Sequence, residues 1–238
     1  MTQHTRAGLA LFALAVLGSA GARAARAQAL GIPVNNSGVA TGLALYADAA
    51  FPNAGWGKGT AFALTGKLGF GRLGATAMVS RYDPSVATVT TGDAVVSAGA
   101  TLNYKLLGGP LIPLSATLQG GAGYWKQDLV GGTGLPTGSR TYWRFPVGLG
   151  VGLNIPGPAF SLRPWIAPRV DVTHVGPASG APAGTSGETT TSFALSAGAE
   201  LNLLSGLGLQ AAYDWYGDAP HPQIFAVGAH YALRIPGL

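Results

Sequence analysis

The chain has no cysteine among its 238 residues, which excludes a disulfide framework and any thiol-ligated metal site. Charge is scarce as well, because Asp, Glu, Lys and Arg make up only 10% of the sequence, against about 25% in a typical soluble domain. Beyond the amino terminus there is no run long and apolar enough for a membrane-spanning helix, and no sustained 3.6-residue period. What the sequence does have is glycine, 38 residues of it, and a positive mean hydropathy of +0.30.

The amino terminus has the three parts of a secretory signal peptide. The basic stretch "MTQHTRAG" precedes the short apolar run "LALFALAVLGSAGA", and the small-residue triplets "ARA" follow. The apolar run is shorter than the roughly 20 residues that a spanning helix needs. We therefore predict a signal peptide over residues 1–27, cut after Ala27, and one domain over residues 28–238.

Basicity is concentrated in that predicted signal peptide. The full chain carries a formal charge of +5, with 14 basic and 9 acidic residues. Three of the basic residues, Arg6, Arg23 and Arg26, leave with the signal peptide. The remaining chain is nearly balanced, so we expect no nucleic-acid partner.

The rest of the sequence alternates between apolar and small or polar residues, which predicts strands. Each is close to the 9–11 residues of a tilted membrane-crossing strand. About ten are predicted, with eight as the alternative, at Gly38–Ala49, Thr60–Phe70, Arg72–Tyr82, Asp93–Leu106, Leu114–Gln127, Arg140–Leu153, Phe160–Val175, Thr189–Leu203, Leu207–Tyr216 and Gln223–Arg234.

The connections between these strands alternate in length. Tight links such as "GR" and "LSG" follow the even strands, and longer Gly/Ser/Thr/Pro-rich stretches such as "GPASGAPAGTSGE" follow most odd strands. Short turns at one end and long loops at the other are typical of an outer-membrane barrel. Aromatic residues collect at both ends of the predicted strands, as at two membrane interfaces. They are Tyr124, Trp125, Tyr142, Trp143, Tyr213, Trp215 and Tyr216 near the long loops, and Phe70, Tyr104, Phe160 and Tyr231 near the short turns.

The two faces of each strand differ in a way that fixes which one looks inward. From Phe193 to Leu203 every second residue is apolar, and the residues between are mostly small or mildly polar. A face in water would carry many more charges, so the apolar face is predicted to meet lipid. Hydrocarbon cannot form hydrogen bonds with the backbone groups at an open sheet edge, so the sheet must close. The predicted fold is therefore all-β, a transmembrane antiparallel up-and-down β-barrel.

The last predicted strand, "AVGAHYAL", places Gly228, Tyr231 and Leu233 in a glycine-x-x-aromatic-x-hydrophobic spacing. It resembles the carboxy-terminal β-signal of bacterial outer-membrane proteins. Residues 28–238 as a whole resemble the small outer-membrane β-barrels of the OmpA/OmpW-like superfamily. That resemblance implies location in the cell outer membrane, outer-membrane lipid as the surroundings, and recognition by the barrel-assembly machinery during biogenesis. Because the predicted barrel reaches the end of the sequence, we expect no peptidoglycan-binding domain like that of the larger OmpA-type proteins. The sequence gives no oligomeric state.

Charged residues on the inward face are the candidate functional residues. Arg163 is predicted to lie opposite Glu200 and to form an ion pair with it, because an isolated carboxylate in a narrow barrel is costly. The inward-facing charged residues could line an ion path. In a barrel of about ten strands, however, side chains can fill the interior, so a polar core is favoured. The set comprises Asp48, Lys67, Arg144, Arg163, Arg169, Asp171, Glu200, Asp214 and His230.

Catalytic patterns are weak. Ser192, His174 and Asp171 could form a nucleophile, base and acid, but nothing marks the serine as activated. No cofactor motif is present, since the "GLGVG" stretch lies within a strand, and no cluster has metal-ligand spacing. We expect a non-enzyme with a structural or surface-interaction role and a largely filled interior. The alternatives are a narrow pore for small solutes or apolar molecules and, third, an outer-membrane lipid-modifying enzyme.

Overall fold

The computed structural model describes residues 29–85, 94–109, 112–130, 136–182 and 184–233. The predicted signal peptide lies outside these ranges. No helix within them is long and apolar enough to cross a membrane; one 3₁₀ turn, Ala54–Trp56, follows the first strand.

Ten long strands make up the fold, and every neighbouring pair is antiparallel. The last pairs with the first, Leu43 opposite Leu233, so the sheet closes into a barrel and the eight-strand alternative is wrong. The strands are β1 Gly42–Pro52, β2 Thr60–Phe70, β3 Leu73–Asp83, β4 Val95–Gly109, β5 Ile112–Val130, β6 Pro136–Leu153, β7 Phe160–Val175, β8 Glu188–Leu203, β9 Leu207–Tyr216 and β10 Gln223–Leu233.

Most boundaries fall within three residues of the prediction, and β2, β7 and β9 match it. The predicted strand ends at Asp93 and Arg234 lie outside the described residues. The short connection after β6 contains a two-residue pairing of Ile155–Pro156 with β7. The two largest differences are at the start of β1, which is Gly42 rather than Gly38, and at the start of β6, which is Pro136 rather than Arg140.

The wall of the barrel is apolar outside. Alternate residues of each strand are exposed, including Phe193 (51%), Leu209 (59%) and Leu102 (74%). Exposing so many large apolar side chains to water would be unfavourable, and a closed ring leaves no unpaired edge for hydrocarbon. The exterior is therefore that of an outer-membrane β-barrel. We call the end with the longer connections, after β1, β3, β5, β7 and β9, the loop end, and the opposite end the turn end.

The predicted aromatic belts lie at the predicted heights, but their members do not all face lipid. Tyr124, Trp143 and Tyr213 are exposed on the outer wall at the loop end. Their chain neighbours Trp125, Tyr142 and the nearby Tyr216 are buried inside the barrel. Successive strand residues point to opposite faces, so each adjacent aromatic pair supplies one ring to the membrane interface and one to the lumen, the interior space of the barrel.

Candidate functional site in the barrel lumen

Residues 29–41 run through the lumen before β1 begins, starting with a turn in which the Ile32 N–H donates to the Ala29 carbonyl (3.2 Å). We call them the amino-terminal segment. Ala29 lies at the loop end, and Thr41 leads into β1 at the turn end. Its residues are buried or nearly so over most of its length: Leu30 and Ile32 are each 2% exposed and Asn36 4%. The barrel thus encloses a piece of its own chain, as well as side chains from its wall.

At the loop end the segment is held by two serines and covered by apolar rings. The Leu30 backbone N–H donates to Ser97 Oγ (2.8 Å), and Ser80 Oγ donates to the Leu30 carbonyl (3.1 Å). Ala29, Leu30 and Ile32 belong to one buried cluster with inward-facing aromatics, Trp56, Tyr82, Trp125, Tyr142 and Tyr216. The loop end of the lumen is therefore closed by a hydrophobic lid.

Halfway down, the segment forms hydrogen bonds with two sides of the barrel, β9 and β5. The Val34 backbone N–H donates to Asp214 Oδ2 (3.1 Å). Asn35 Nδ2 donates to Gln210 Oε1 (2.9 Å), and Asn36 Nδ2 donates to a backbone carbonyl of β5 (3.3 Å). An extended chain inside a barrel has no sheet partner, so its polar groups need such contacts to avoid the cost of burial.

Ser37 connects the segment to a buried ion pair. Its hydroxyl donates to Glu200 Oε1 (2.6 Å), and Lys67 Nζ donates to Ser37 Oγ (3.4 Å). Lys67 Nζ also lies 3.6 Å from Glu200 Oε1 and 4.2 Å from the centroid of the Tyr46 ring. One hydroxyl of the segment thus bridges two charges from opposite walls.

Glycine makes room for the segment. A Cβ placed on Gly150 would lie 2.3 Å from the Asn36 carbonyl oxygen, well inside van der Waals contact. Gly148, the next inward glycine of β6, has the same restriction against Arg169, at 2.6 Å. The "GLGVG" stretch is therefore an inner wall kept bare so that backbone and side chains can approach it.

Near the loop end, four charges form a closed network. Arg144 bonds to Asp171, and Arg169 bonds both to Asp171 (Nε to Oδ2, 3.2 Å) and to Asp214 (Nη2 to Oδ2, 2.6 Å). Both arginines also donate to Tyr216 Oη, at 3.0 and 2.9 Å. Two cations and two carboxylates balance, as buried charges require.

The structure places all nine predicted interior residues on the lumen side. Arg144, Arg169, Asp171 and Asp214 come together in the network just described, and Lys67 pairs with Glu200. The other three belong to neither group: Asp48 accepts a hydrogen bond from Gln210, His230 Nε2 lies 2.9 Å from Asn202 Oδ1, and Arg163 is half-buried.

The predicted Arg163–Glu200 ion pair is wrong, although the register behind it is right. The two residues are Cα partners across β7 and β8, but the Glu200 carboxylate reaches into the lumen toward Lys67 and Ser37. No described carboxylate forms an ion pair with Arg163. Lys67 and the Ser37 hydroxyl both bind the Glu200 carboxylate. Strand pairing alone does not predict either contact.

The Ser192–His174–Asp171 combination is not brought together. Asp171 and Ser192 face the lumen and are buried, whereas His174 lies three residues from Asp171 and points to the other face. His174 Nδ1 instead lies 2.9 Å from Thr189 Oγ1. In the part of the chain that the structure describes, no three His, Asp or Glu side chains are grouped as a metal site.

The residues of the predicted β-signal lie on the strand that closes the barrel. Tyr231 and Leu233 are exposed on the outer wall, and Gly228 is opposite Asp48 of β1. A Cβ on Gly228 would lie 2.7 Å from the backbone carbonyl oxygen of Ala47 as well as 2.0 Å from Asp48 Oδ1. Glycine is thus required there for packing in the finished barrel.

The amino-terminal segment is the feature that sequence reasoning missed. The alternation of the sequence predicts that the first strand of the barrel begins at Gly38, and it predicts no role for the residues before Gly38. The stretch "VNNSG", Val34–Gly38, breaks the alternation with three adjacent polar side chains. That cluster, ahead of the first strand in an otherwise charge-poor chain, is the signal that could have indicated a buried polar segment.

Comparison with known proteins finds likeness in fold alone. No protein-family model matches the chain, and no curated protein is significantly similar in sequence. The amino-terminal barrel domain of Pseudomonas aeruginosa OprF is 9% identical with a TM-score of 0.38, covering 82% of this chain and 98% of its own. The translocator domain of the Neisseria meningitidis autotransporter NalP is 16% identical with a TM-score of 0.48, covering 81% and 89%. The neisserial surface protein NspA is 15% identical with a TM-score of 0.42, covering 80% and 97%.

Proposed function

We propose that this chain is a closed outer-membrane barrel that blocks its own lumen and acts through the surface it shows outside the membrane, as a structural or surface-interaction protein. One observation carries the proposal: the amino-terminal segment occupies the lumen from Ala29 at the loop end down to a recess at the turn end. A barrel built for conduction would keep that space for water.

The space beside the middle of the segment supports the same conclusion. Two cavities beside the segment measure about 20 and 10 Å³, room for about one water molecule each at most. The hydrophobic lid covers the loop end, so these cavities do not join into a path for solutes. A narrow pore, the alternative from the sequence, would require the segment to leave.

The proposal extends to partners and to chemistry. Outer-membrane lipid surrounds the apolar wall, and the barrel-assembly machinery reads Gly228, Tyr231 and Leu233 during insertion. A non-enzymatic role is supported by the separation of His174 from Ser192 and Asp171 across the two faces of the wall. The longer connections at the loop end are the surface left for contact with other molecules.

The test is conductance in planar bilayers of the folded protein purified from outer membranes. We expect no channel steps, and folding is verified by heat-modifiable migration on gels. A second chain that lacks residues 29–40 is expected to conduct in discrete steps, because the space left by the segment fills with water.

Reproducible steps from the intact folded barrel would overturn the proposal. Silence from a shortened chain that is folded would also count against it, since the block would then lie elsewhere. If the shortened chain does not fold, the intact protein still decides the question by itself.

A further inference from the structure

We propose that the turn end of the lumen holds a binding site for a phosphate group. A recess of about 760 Å³ opens there, between the last residues of the amino-terminal segment and the wall. It is lined by two cations, Lys105 of β4 and Arg163 of β7, and by the polar side chains of Ser115, Thr117 and Asn154. We call it the turn-end recess.

Both cations line the recess. Lys105 and Arg163 are each half-buried, and neither forms an ion pair or a side-chain hydrogen bond with any described residue. The carboxylate nearest in register to Arg163, Glu200, is already held by Lys67 (3.6 Å) and Ser37 (2.6 Å). Cations in a partly desolvated mouth attract an anion more strongly than cations in open water, because the local dielectric constant is lower.

The rest of the lining suits an oxyanion. No carboxylate lines the recess. Thr117 Oγ1 and Arg163 Nη1 both lie 3.8 Å from the position that a Cβ would take on Gly38, so a hydroxyl and a guanidinium converge on one bare point of the segment. A phosphate group, with several acceptor oxygens, can bond to a guanidinium, an ammonium and hydroxyls together.

The rim of the recess adds an apolar edge. Phe70 and Ile112 line it and are also exposed on the outer wall, by 62% and 46%. The turn end is the end with short turns, which faces the periplasm in outer-membrane barrels. The phosphate group could thus belong to a lipid headgroup of the inner leaflet or to a free phosphate in the periplasm, and the experiment separates the two.

The experiment uses the full folded protein purified from outer membranes into an uncharged detergent. Inorganic phosphate is titrated by calorimetry, and retention of phosphatidylglycerol is measured by native mass spectrometry. Lys105→Gln, Arg163→Gln and their double variant are compared with Lys126→Gln, which removes a cation from the exposed outer wall toward the loop end. Heat-modifiable migration shows that each variant is folded.

We expect at least one probe to bind, with affinity reduced about tenfold or more by each single variant at the recess, the loss that follows from removing one charge-assisted hydrogen bond. Lys126→Gln should bind as the unaltered protein does. Binding of phosphatidylglycerol alone identifies a lipid headgroup, and binding of inorganic phosphate identifies a free-phosphate site. Failure of both probes to bind, or equal binding by the folded double variant, would overturn the proposal, whatever the conductance of the barrel.

Discussion

Arg169 and Arg163 lie on the same face of the same strand, six residues and about 20 Å apart, and their surroundings differ in kind. Arg169 is 4% exposed and bonds to two aspartates and Tyr216. Arg163 is half-buried in an open recess and pairs with no described carboxylate. Arg169 thus belongs to a buried network whose Asp214 also accepts a hydrogen bond from the amino-terminal segment. Arg163 and Lys105, near the turn end, form no ion pair with a described residue.

Removing a charge from the loop half of the lumen should lower the free energy of unfolding by the largest amount. Asp214→Ala deprives Arg169 of its 2.6 Å partner and leaves the Val34 N–H without an acceptor. Breaking a buried pair in this way costs about 3–5 kcal/mol. The free energy of unfolding, measured in urea with folded protein in lipid vesicles, should fall by that amount.

The matched control is Asp83→Ala, which breaks the Arg81–Asp83 pair on the surface, where the side chains are 65% and 42% exposed. Exposed pairs contribute about 0–1 kcal/mol. Equal effects of the two variants would mean that the loop-half network does not exist as described.

Adding a side chain at a glycine of the wall beside the segment should lower the free energy of unfolding by a smaller amount. Gly150→Val places a Cβ where the Asn36 carbonyl oxygen lies, 2.3 Å away, and overpacking of this kind costs about 1–3 kcal/mol. Gly120→Val is the control, because a Cβ there meets nothing within 4 Å. Urea unfolding of both variants measures the difference, and a Gly150→Val barrel as stable as the control would place the segment elsewhere.

Removing a cation from the turn half should have the smallest effect on stability. Lys105→Gln and Arg163→Gln break no ion pair between described residues, so the free energy of unfolding should stay within about 0.5 kcal/mol of the unaltered value. A loss of several kcal/mol in either variant would show that the cation is structural and that the two halves of the lumen are alike.

Much of the wall could be predicted, because its physics is local. Alternation with a period of two marks the strands and their faces, and loop and turn lengths give their direction. For this reason β2, β7 and β9 match their predicted bounds, and all nine interior charges lie in the lumen. The cross-strand register of Arg163 and Glu200 also followed from a symmetric hairpin.

The contents of the lumen could not be predicted in the same way. Which charges meet across the barrel depends on strands far apart in sequence, so the Lys67–Glu200 pair has no local signature. The amino-terminal segment has neither a strand period nor a helical one, since its hydrogen bonds go to six different strands. Only its run of polar residues, Asn35, Asn36 and Ser37, sets it apart.

The most direct test of the central claim, that residues 29–41 occupy the lumen, is a disulfide between the segment and the wall. In Val39→Cys/Gly74→Cys the two sulfurs can meet, because a Cβ on Gly74 would lie 3.0 Å from Val39 Cγ1, and the chain has no cysteine of its own. Oxidation of the folded protein should form the bond, seen as loss of free thiol and a mobility shift that reductant reverses. Val39→Cys/Gly120→Cys, with its second cysteine on the outer wall, should keep two free thiols. A folded Val39→Cys/Gly74→Cys barrel that forms no disulfide would contradict the account.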